Sequence, residues 1–173
     1  VDTEHYTYGE LFNEINARTG GILFGIQVFS SARDNRLTTH MMGIKAKALY
    51  EDLPFVFQMI REIICTSRLD DEKRLYEILA KMKSRMQMSM VSAGHSTAVN
   101  RALSYFSENA YFQEKIAGID FYDLIDDLEK NFQEKKGEII ENLKELMGLV
   151  FRRENLIVSY TADQEGYKGL EKE

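Results

Sequence analysis

Cysteine and proline are almost missing from this chain of 173 residues, which contains one of each. The lone Cys65 excludes an internal disulfide, and its position beside Ile63, Ile64 and Thr66 predicts a buried thiol in a reducing compartment. No apolar run approaches the ~20 residues that a membrane-spanning helix needs. The N-terminal residues also lack the basic and apolar regions of a secretory signal. With 44% hydrophobic and 29% charged residues, the composition is that of a globular domain with a core.

Positive charge is scarce as well, because the formal net charge is −6. No stripe of lysines and arginines interleaved with aromatic residues stands out. A protein that binds nucleic acid needs such an electrostatic footprint, so the sequence disfavours a nucleic-acid partner. A membrane partner is likewise not expected.

Catalytic signatures are missing from the sequence. Its three histidines, His5, His40 and His95, are far apart, and none belongs to a His-Glu-x-x-His or His-x-x-Glu-His helix. The segment from Ser92 to Ser96 places a serine near a histidine but lacks the Gly-x-Ser-x-Gly elbow. The methionines at 82, 86 and 90 have the spacing of a helix core stripe and are not assigned to a soft metal site. We therefore assign no catalytic residue and no metal ligand.

Strand signals occur at three places. Two runs, Ile22 to Ser30 and Leu37 to Leu49, are joined by the polar link Ser31 to Arg36, and this arrangement predicts a β-hairpin. A third alternating run, Leu156 to Ala162, predicts a third strand. In the first run, one predicted face is wholly apolar and should rest on a core; it consists of Ile22, Phe24, Ile26 and Val28.

Helix signals fill most of the remaining sequence. An apolar stripe at Leu11, Phe12 and Ile15 predicts a first helix from Tyr8 to Arg18. Capping residues predict the starts of later helices, and Gly118 predicts a stop. The predicted caps are Asp52, Asp70-Asp71, Ser107 and Asp120. The stripe of the longest helix weakens at Ser92 to His95, and Val99, Leu103 and Phe106 then predict a renewed apolar face.

The order of these elements predicts an α+β domain with a mainly antiparallel, three-stranded sheet that a helical block covers on one face. We expect a single domain over residues 1–173, incomplete and excised from a larger protein because its sheet edge is left open. Its predicted parts are an N-terminal helix at 1–20, the hairpin at 21–50, the helical block at 51–150, the third strand at 155–163 and the truncated start of a helix at 164–173.

Four segments of the sequence resemble a known family. They are Tyr8-Gly9-Glu10-Leu11, Asn16-Ala17-Arg18-Thr19-Gly20-Gly21-Ile22, Ser92-Ala93-Gly94-His95-Ser96 and Leu156-Ile157-Val158-Ser159-Tyr160-Thr161-Ala162-Asp163. Together they look like the first domain of the non-catalytic C-terminal half of presequence-protease-type peptidases. These enzymes belong to the insulinase and pitrilysin superfamily of zinc metallopeptidases. The resemblance runs over almost the entire chain, although its segments are typical of the family and not strict signatures.

The resemblance implies a parent enzyme, a zinc-dependent endopeptidase that degrades unfolded peptides inside a chamber between two halves. Zinc would be held by a His-x-x-Glu-His helix of the other half, so this chain alone should contain no cofactor and be inactive. Its partners would be the remaining domains of the same polypeptide and an unfolded peptide. The implied location is the cytoplasm of a bacterium or an organelle matrix.

Polar side chains that could contact peptide in that chamber are His95, Asn100 and Arg101, and, on the hairpin, Gln27, Lys45 and Lys47. A structural role for the first three is the competing interpretation. The alternative function is a helix-rich α+β protein-binding module without peptidase activity, whose open strand edge recruits a partner by strand addition. The same edge could pair two copies of the chain into a homo-oligomer.

Overall fold

A computed structural model describes residues 1–34 and 37–170 of the chain. Two residues of the predicted hairpin link, Asn35 and Arg36, lie outside the described residues. Residues 171–173 of the predicted C-terminal helix start lie outside them too. No helix in the described ranges is both long enough and apolar enough to cross a membrane.

The predicted α+β fold is confirmed, with an antiparallel pair of strands and a large helical part. Short 3₁₀ turns occur at Tyr50–Asp52 and Arg153–Asn155. The strands and α-helices of the described residues are, in chain order, α1 Tyr8–Arg18, β1 Thr19–Ser30, β2 Thr38–Ala48, α2 Leu53–Thr66, α3 Glu72–Ser92, α4 Gly94–Leu103, α5 Glu108–Ala117, α6 Ile119–Lys130, α7 Phe132–Val150 and α8 Gln164–Leu170.

The hairpin forms where the sequence predicts it. The Ser31 N–H donates to the Leu37 carbonyl at 2.9 Å, which closes the link between β1 and β2. Gly21 has a φ of 105°, a left-handed conformation that suits glycine, and its N–H donates to the Thr19 hydroxyl at 3.0 Å. The Thr-Gly-Gly sequence therefore turns the chain from α1 directly into β1.

The third predicted strand is wrong. Within the described residues the sheet consists of β1 and β2, and residues 156–163 have no regular secondary structure. Leu156 does have an extended backbone, with φ −78° and ψ 124°. Alternating polarity can predict an extended conformation, but a strand also needs the N–H and C=O groups of a neighbour, which the local sequence does not supply.

The chain divides into two compact units. The first unit comprises Val1–Gly25, Met42–Asp70 and Ile140–Glu173, and the second comprises Ile26–Met41 and Asp71–Ile139. Consequently β1, β2 and α7 each contribute residues to both units.

The core of the first unit lies between α1 and α2. Leu11, Phe55 and Met59 are buried there, and the partly buried Tyr6, Ile15, Ile22 and Ile63 rest against them. A capping box fixes the start of α1, because the Glu10 N–H donates to the Thr7 hydroxyl at 3.3 Å and the Thr7 N–H donates to the Glu10 carboxylate at 2.9 Å. The predicted bounds of α1 are those observed.

Two local predictions for α2 are wrong. Cys65 is exposed, because it lies about 120° around the helix from the fully buried Met59. Asp52 precedes the helix but makes no capping hydrogen bond; its carboxylate instead pairs with Arg18 at 2.9 Å. A cation 34 residues away in sequence has displaced the local capping role.

The second unit is built on α3 and α6. Leu75, Leu79, Ile125 and Phe132 are its buried apolar residues. Beside them, Lys83 bridges Asp126 and Glu129, each at 2.8 Å, and the hydrogen bond from Asp126 followed by that from Glu129 raises the pKa of Lys83. Because Lys83 is partly buried, these two carboxylates hold the facing sides of α3 and α6 together.

The apolar face predicted for α4 is not buried. Val99 and Leu103 are about half exposed, and Phe106, in the link after the helix, is 88% exposed. Ile26 on β1, in the same unit, is also half exposed, so only part of the apolar strand face is covered. Periodicity identifies an apolar face, but burial depends on a neighbour that periodicity does not specify.

Candidate functional site

Two cavities lie along α4 and α5 in the second unit, and Asn100 lines both of them. The larger has a volume of about 370 Å³. Its walls are Asn100, Ser107, Asn109, Ala110 and Gln113. The smaller has a volume of about 180 Å³ and combines Met86, Met90 and Ala117 with Ser96, Thr97 and Glu114.

The larger cavity has no charged side chain in its wall. Asn109 donates from its amide to the Ser30 hydroxyl at 3.2 Å, and the Ser107 hydroxyl accepts the Ala110 N–H at 3.4 Å as the cap of α5. The side-chain amides of Asn100 and Gln113 make no hydrogen bond to a described residue. Each of these two carboxamides can therefore offer both a donor and an acceptor to a molecule in the cavity.

Glu114 forms the base of the smaller cavity, with a side chain only 1% exposed. Its carboxylate accepts hydrogen bonds from the Arg101 guanidinium at 3.0 Å and from the Ile119 N–H at 2.8 Å. The Asp120 N–H donates to the same oxygen at 3.4 Å. Gly118, the N-cap of α6, has no side chain to satisfy these N–H groups, so Glu114 caps α6 from the preceding helix.

The charges around Glu114 compensate one another. Arg101 also binds Asp120 at 2.7 Å, and Lys115 binds the other oxygen of Asp120 at 2.7 Å. Lys115 and then Arg101 lower the pKa of Asp120, whereas Asp120 and then Glu114 raise the pKa of Arg101. Two cations and two carboxylates thus tie α4, α5 and α6 together next to the cavities.

The predicted contact residues of α4 have different surroundings. Asn100 opens onto both cavities, His95 is exposed in the first turn of the helix, and Arg101 is engaged by its two carboxylates. For Arg101 the geometry supports the competing structural interpretation. Asn100 is the residue of this group whose side chain faces space that a ligand could occupy.

The predicted contact residues of the hairpin fall in different units. Gln27 is half-buried on β1 in the second unit, and Lys45 and Lys47 are exposed on β2 in the first. The backbone of Lys47 lies against Gly20, where an added Cβ would be 3.3 Å from the Lys47 carbonyl oxygen. Their role in contacting peptide stays a prediction.

Three residues important to this region were missed from the sequence: Glu114, Asn109 and Gln113. Asn109 and Gln113 look like ordinary solvated positions of an amphipathic helix. Glu114 gives one usable signal, because it stands four residues before a helix-ending glycine that begins the next helix without a side-chain cap.

The described residues do not fit a zinc ion. They contain no group of three or more His, Cys, Asp or Glu side chains placed to hold a metal. His5 contacts the Glu62 carboxylate at 3.0 Å in the first unit, and His40 stacks on Phe112 with ring centroids 3.7 Å apart in the second. No zinc-dependent step can therefore be assigned to side chains of this part of the chain.

Comparison with known sequences identifies the family. The profile of the associated domain of metallopeptidase family 16, subfamily C, matches residues 1–128. The chain belongs to this family of peptidase-associated domains. It is 33% identical over 168 residues to Protein HypA of Clostridium perfringens, an alignment that covers 97% of this chain. It is 26% identical over 158 residues to the mitochondrial presequence protease of Drosophila melanogaster, which covers 90% of this chain.

A third relative is presequence protease 1, chloroplastic/mitochondrial, of Arabidopsis thaliana, 22% identical over 172 residues and 99% of this chain. The chain spans only 15% to 17% of the length of these three relatives. The resemblance to presequence-protease-type peptidases is thereby confirmed. The chain is homologous to the associated, non-catalytic region of those larger polypeptides.

Proposed function

We propose that this chain is a non-catalytic domain of a zinc-dependent endopeptidase that degrades unfolded peptides, and that it forms part of the wall of the peptide chamber. The observation that carries the proposal is the family match over residues 1–128, together with relatives about six times longer that are named presequence proteases. In such a protein the zinc and the reacting groups come from other parts of the polypeptide.

The chemistry of the described residues supports a binding role over a catalytic one. Their cavities are lined by carboxamides, hydroxyls and apolar side chains, and the strongest ionic cluster, around Arg101, is internally neutralised. Such a surface holds a ligand or a neighbouring domain but offers no paired acid and base. The remaining domains of the same polypeptide and an unfolded peptide are the proposed partners.

The test uses the full-length protein that carries this chain and an unstructured peptide. We expect cleavage that a chelator abolishes and added zinc restores, and no cleavage by the 173-residue chain alone. Cleavage that persists after chelation would remove the metallopeptidase mechanism. Cleavage by the isolated chain would show that catalytic residues lie within it.

The hairpin favours a second candidate, a protein-binding module that works by strand addition. Within the described residues β1 and β2 pair only with each other, so each has one edge whose N–H and C=O groups can meet another strand. A second copy of the chain could use the same edge. This candidate predicts that a full-length protein binds peptide or itself without cleaving anything, which the same incubation distinguishes.

A further inference from the structure

We propose that the larger cavity of the second unit binds the main chain of an extended, uncharged peptide segment, and that the exposed apolar side chains beside it receive apolar peptide side chains. This inference rests on the proposed function, because it assigns the peptide partner to a particular place. The cavity is lined by Asn100, Ser107, Asn109, Ala110 and Gln113, and its volume of about 370 Å³ lies in the range of ligand sites in proteins.

The first argument is the match of hydrogen-bonding groups. An extended peptide presents N–H donors and C=O acceptors in alternation, and a carboxamide presents one acceptor and two donor hydrogens. Asn100 and Gln113 face the same cavity from α4 and α5 and bind no described residue. The Ser107 hydroxyl, which already accepts the Ala110 N–H, still has a hydrogen to donate.

The second argument is charge. No lining residue is charged, and the nearby Arg101, Lys115, Glu114 and Asp120 are bound to one another at 2.7 to 3.0 Å. A charged peptide side chain entering the cavity would lose water without gaining an opposite charge, which is unfavourable. Main-chain amides, which are polar but neutral, avoid that cost.

The third argument is the apolar border. Leu103 and Phe106 lie between the lining residues Asn100 and Ser107, and Tyr111 lies between Ala110 and Gln113. All three are large and exposed, Phe106 by 88%. Neighbouring exposed apolar groups of this size mark interaction surfaces more often than they mark neutral surface. Alternate side chains of an extended peptide point to the same side, so those flanking the bound main chain can reach this border.

The probe is an unstructured peptide of apolar and uncharged residues, and the comparison probe is a peptide of equal length in which Glu and Lys replace the apolar residues. Binding to the 173-residue chain is measured by fluorescence anisotropy, and the side-chain NH₂ signals of Asn100 and Gln113 are followed by NMR. We expect the uncharged peptide to bind more tightly, to shift both NH₂ signals, and to bind equally well between about 0.05 and 0.5 M salt.

The decisive variant is Asn100→Ala combined with Gln113→Ala, which should weaken binding of the uncharged peptide about tenfold. Gln133→Ala, an exposed glutamine of α7 in the same unit, is the matched control and should leave the affinity unchanged. Phe106→Ser should weaken the apolar peptide but not a Gly/Ser peptide of equal length. Peptide binding that ignores the double variant would overturn the assignment, as would tighter binding of the charged peptide.

A separate outcome is self-association. If sedimentation shows that a second copy covers the cavity and peptide does not compete with it, the peptide assignment is wrong. The full-length protein distinguishes this inference from the proposed function. Chelator-sensitive cleavage with an unchanged KM in the double variant would refute the cavity and leave the peptidase in place. Peptide binding without cleavage would do the reverse.

Discussion

Replacing Glu114 by alanine gives the sharpest test of how the cavity region is held together. The side chain is 1% exposed and accepts hydrogen bonds from Arg101, Ile119 and Asp120. After Glu114→Ala, Arg101 keeps Asp120 as a partner, but the first N–H groups of α6 have no replacement acceptor, because the cap position is Gly118.

The expected loss follows from two contributions. Removing a helix N-cap acceptor costs about 1 kcal/mol. Leaving buried donors without a partner costs about 1–3 kcal/mol. The two overlap, so we expect a decrease of about 2–4 kcal/mol in the free energy of unfolding, which is a large fraction of the stability of a domain this size. Glu114→Gln keeps an acceptor oxygen and should cost roughly half as much.

Urea unfolding followed by far-UV circular dichroism measures these differences. The matched control is Gln113→Ala on the same helix, whose exposed side chain binds no described residue and should change stability by less than about 0.5 kcal/mol. If Glu114→Ala unfolds at the same urea concentration as the control, the capping role is wrong. A Glu114→Gln variant as unstable as Glu114→Ala would show that the charge, and not the acceptor geometry, stabilises α6.

Three further predictions concern single positions. Gly118→Ala should destabilise the second unit, because a Cβ there would lie 2.1 Å from a Glu114 carboxylate oxygen, whereas Gly137→Ala, with open space, should stabilise α7 by about 0.5–1 kcal/mol; equal midpoints in urea would contradict this. Lys83→Met should destabilise the chain more at pH 7 than at pH 3, where its two carboxylate partners are protonated, and a pH-independent loss would argue against the ion pairs. Burial opposes ionisation of Glu62, but hydrogen bonds from Thr3, Thr66 and His5 outweigh it and lower its pKa to about 2, so its contribution is complete above pH ~4.5 and disappears as the pH falls toward 2; Glu62→Gln should therefore flatten the acid limb of stability measured against pH.

Features set by neighbouring residues were predictable from the sequence. The bounds of α1 follow from the Thr7–Glu10 capping box and the glycines after Arg18, and the start of α5 follows from Ser107. The break between α3 and α4 at Ala93 coincides with the loss of apolar periodicity. In each case the group that ends or begins the helix lies within a few residues of it.

Features set by distant partners were not predictable in the same way. Leu156 to Ala162 has the polarity of a strand, but pairing needs another strand, and the described sheet holds only β1 and β2. Asp52 looks like a cap until Arg18 is brought to it. Cys65 looks buried because its neighbours are apolar, although the helix turns it away from the core.

The candidate site divides along the same line. Asn100 could be selected from the sequence as a polar residue near the α3–α4 break, and it does face both cavities. Gln113 and Glu114 could not, because one becomes a cavity wall and the other a buried cap only when α5 lies against α4 and α6. A residue's chemistry is visible in the sequence, but its exposure is a property of the helices around it.

The buried network and the open cavity have a physical connection. Arg101 and Glu114 follow Asn100 and Gln113 directly in sequence, so each helix directs one residue into the ionic network and the preceding one into the larger cavity. Consecutive helical positions are separated by about 100°, which permits one to be fixed inside while the other stays accessible. Because the ion pair restrains both helices, the two carboxamides keep their spacing before a ligand arrives. A restrained pair loses less conformational entropy on binding than two mobile side chains, so loosening the network by Glu114→Ala should weaken peptide binding even though Glu114 does not line the larger cavity.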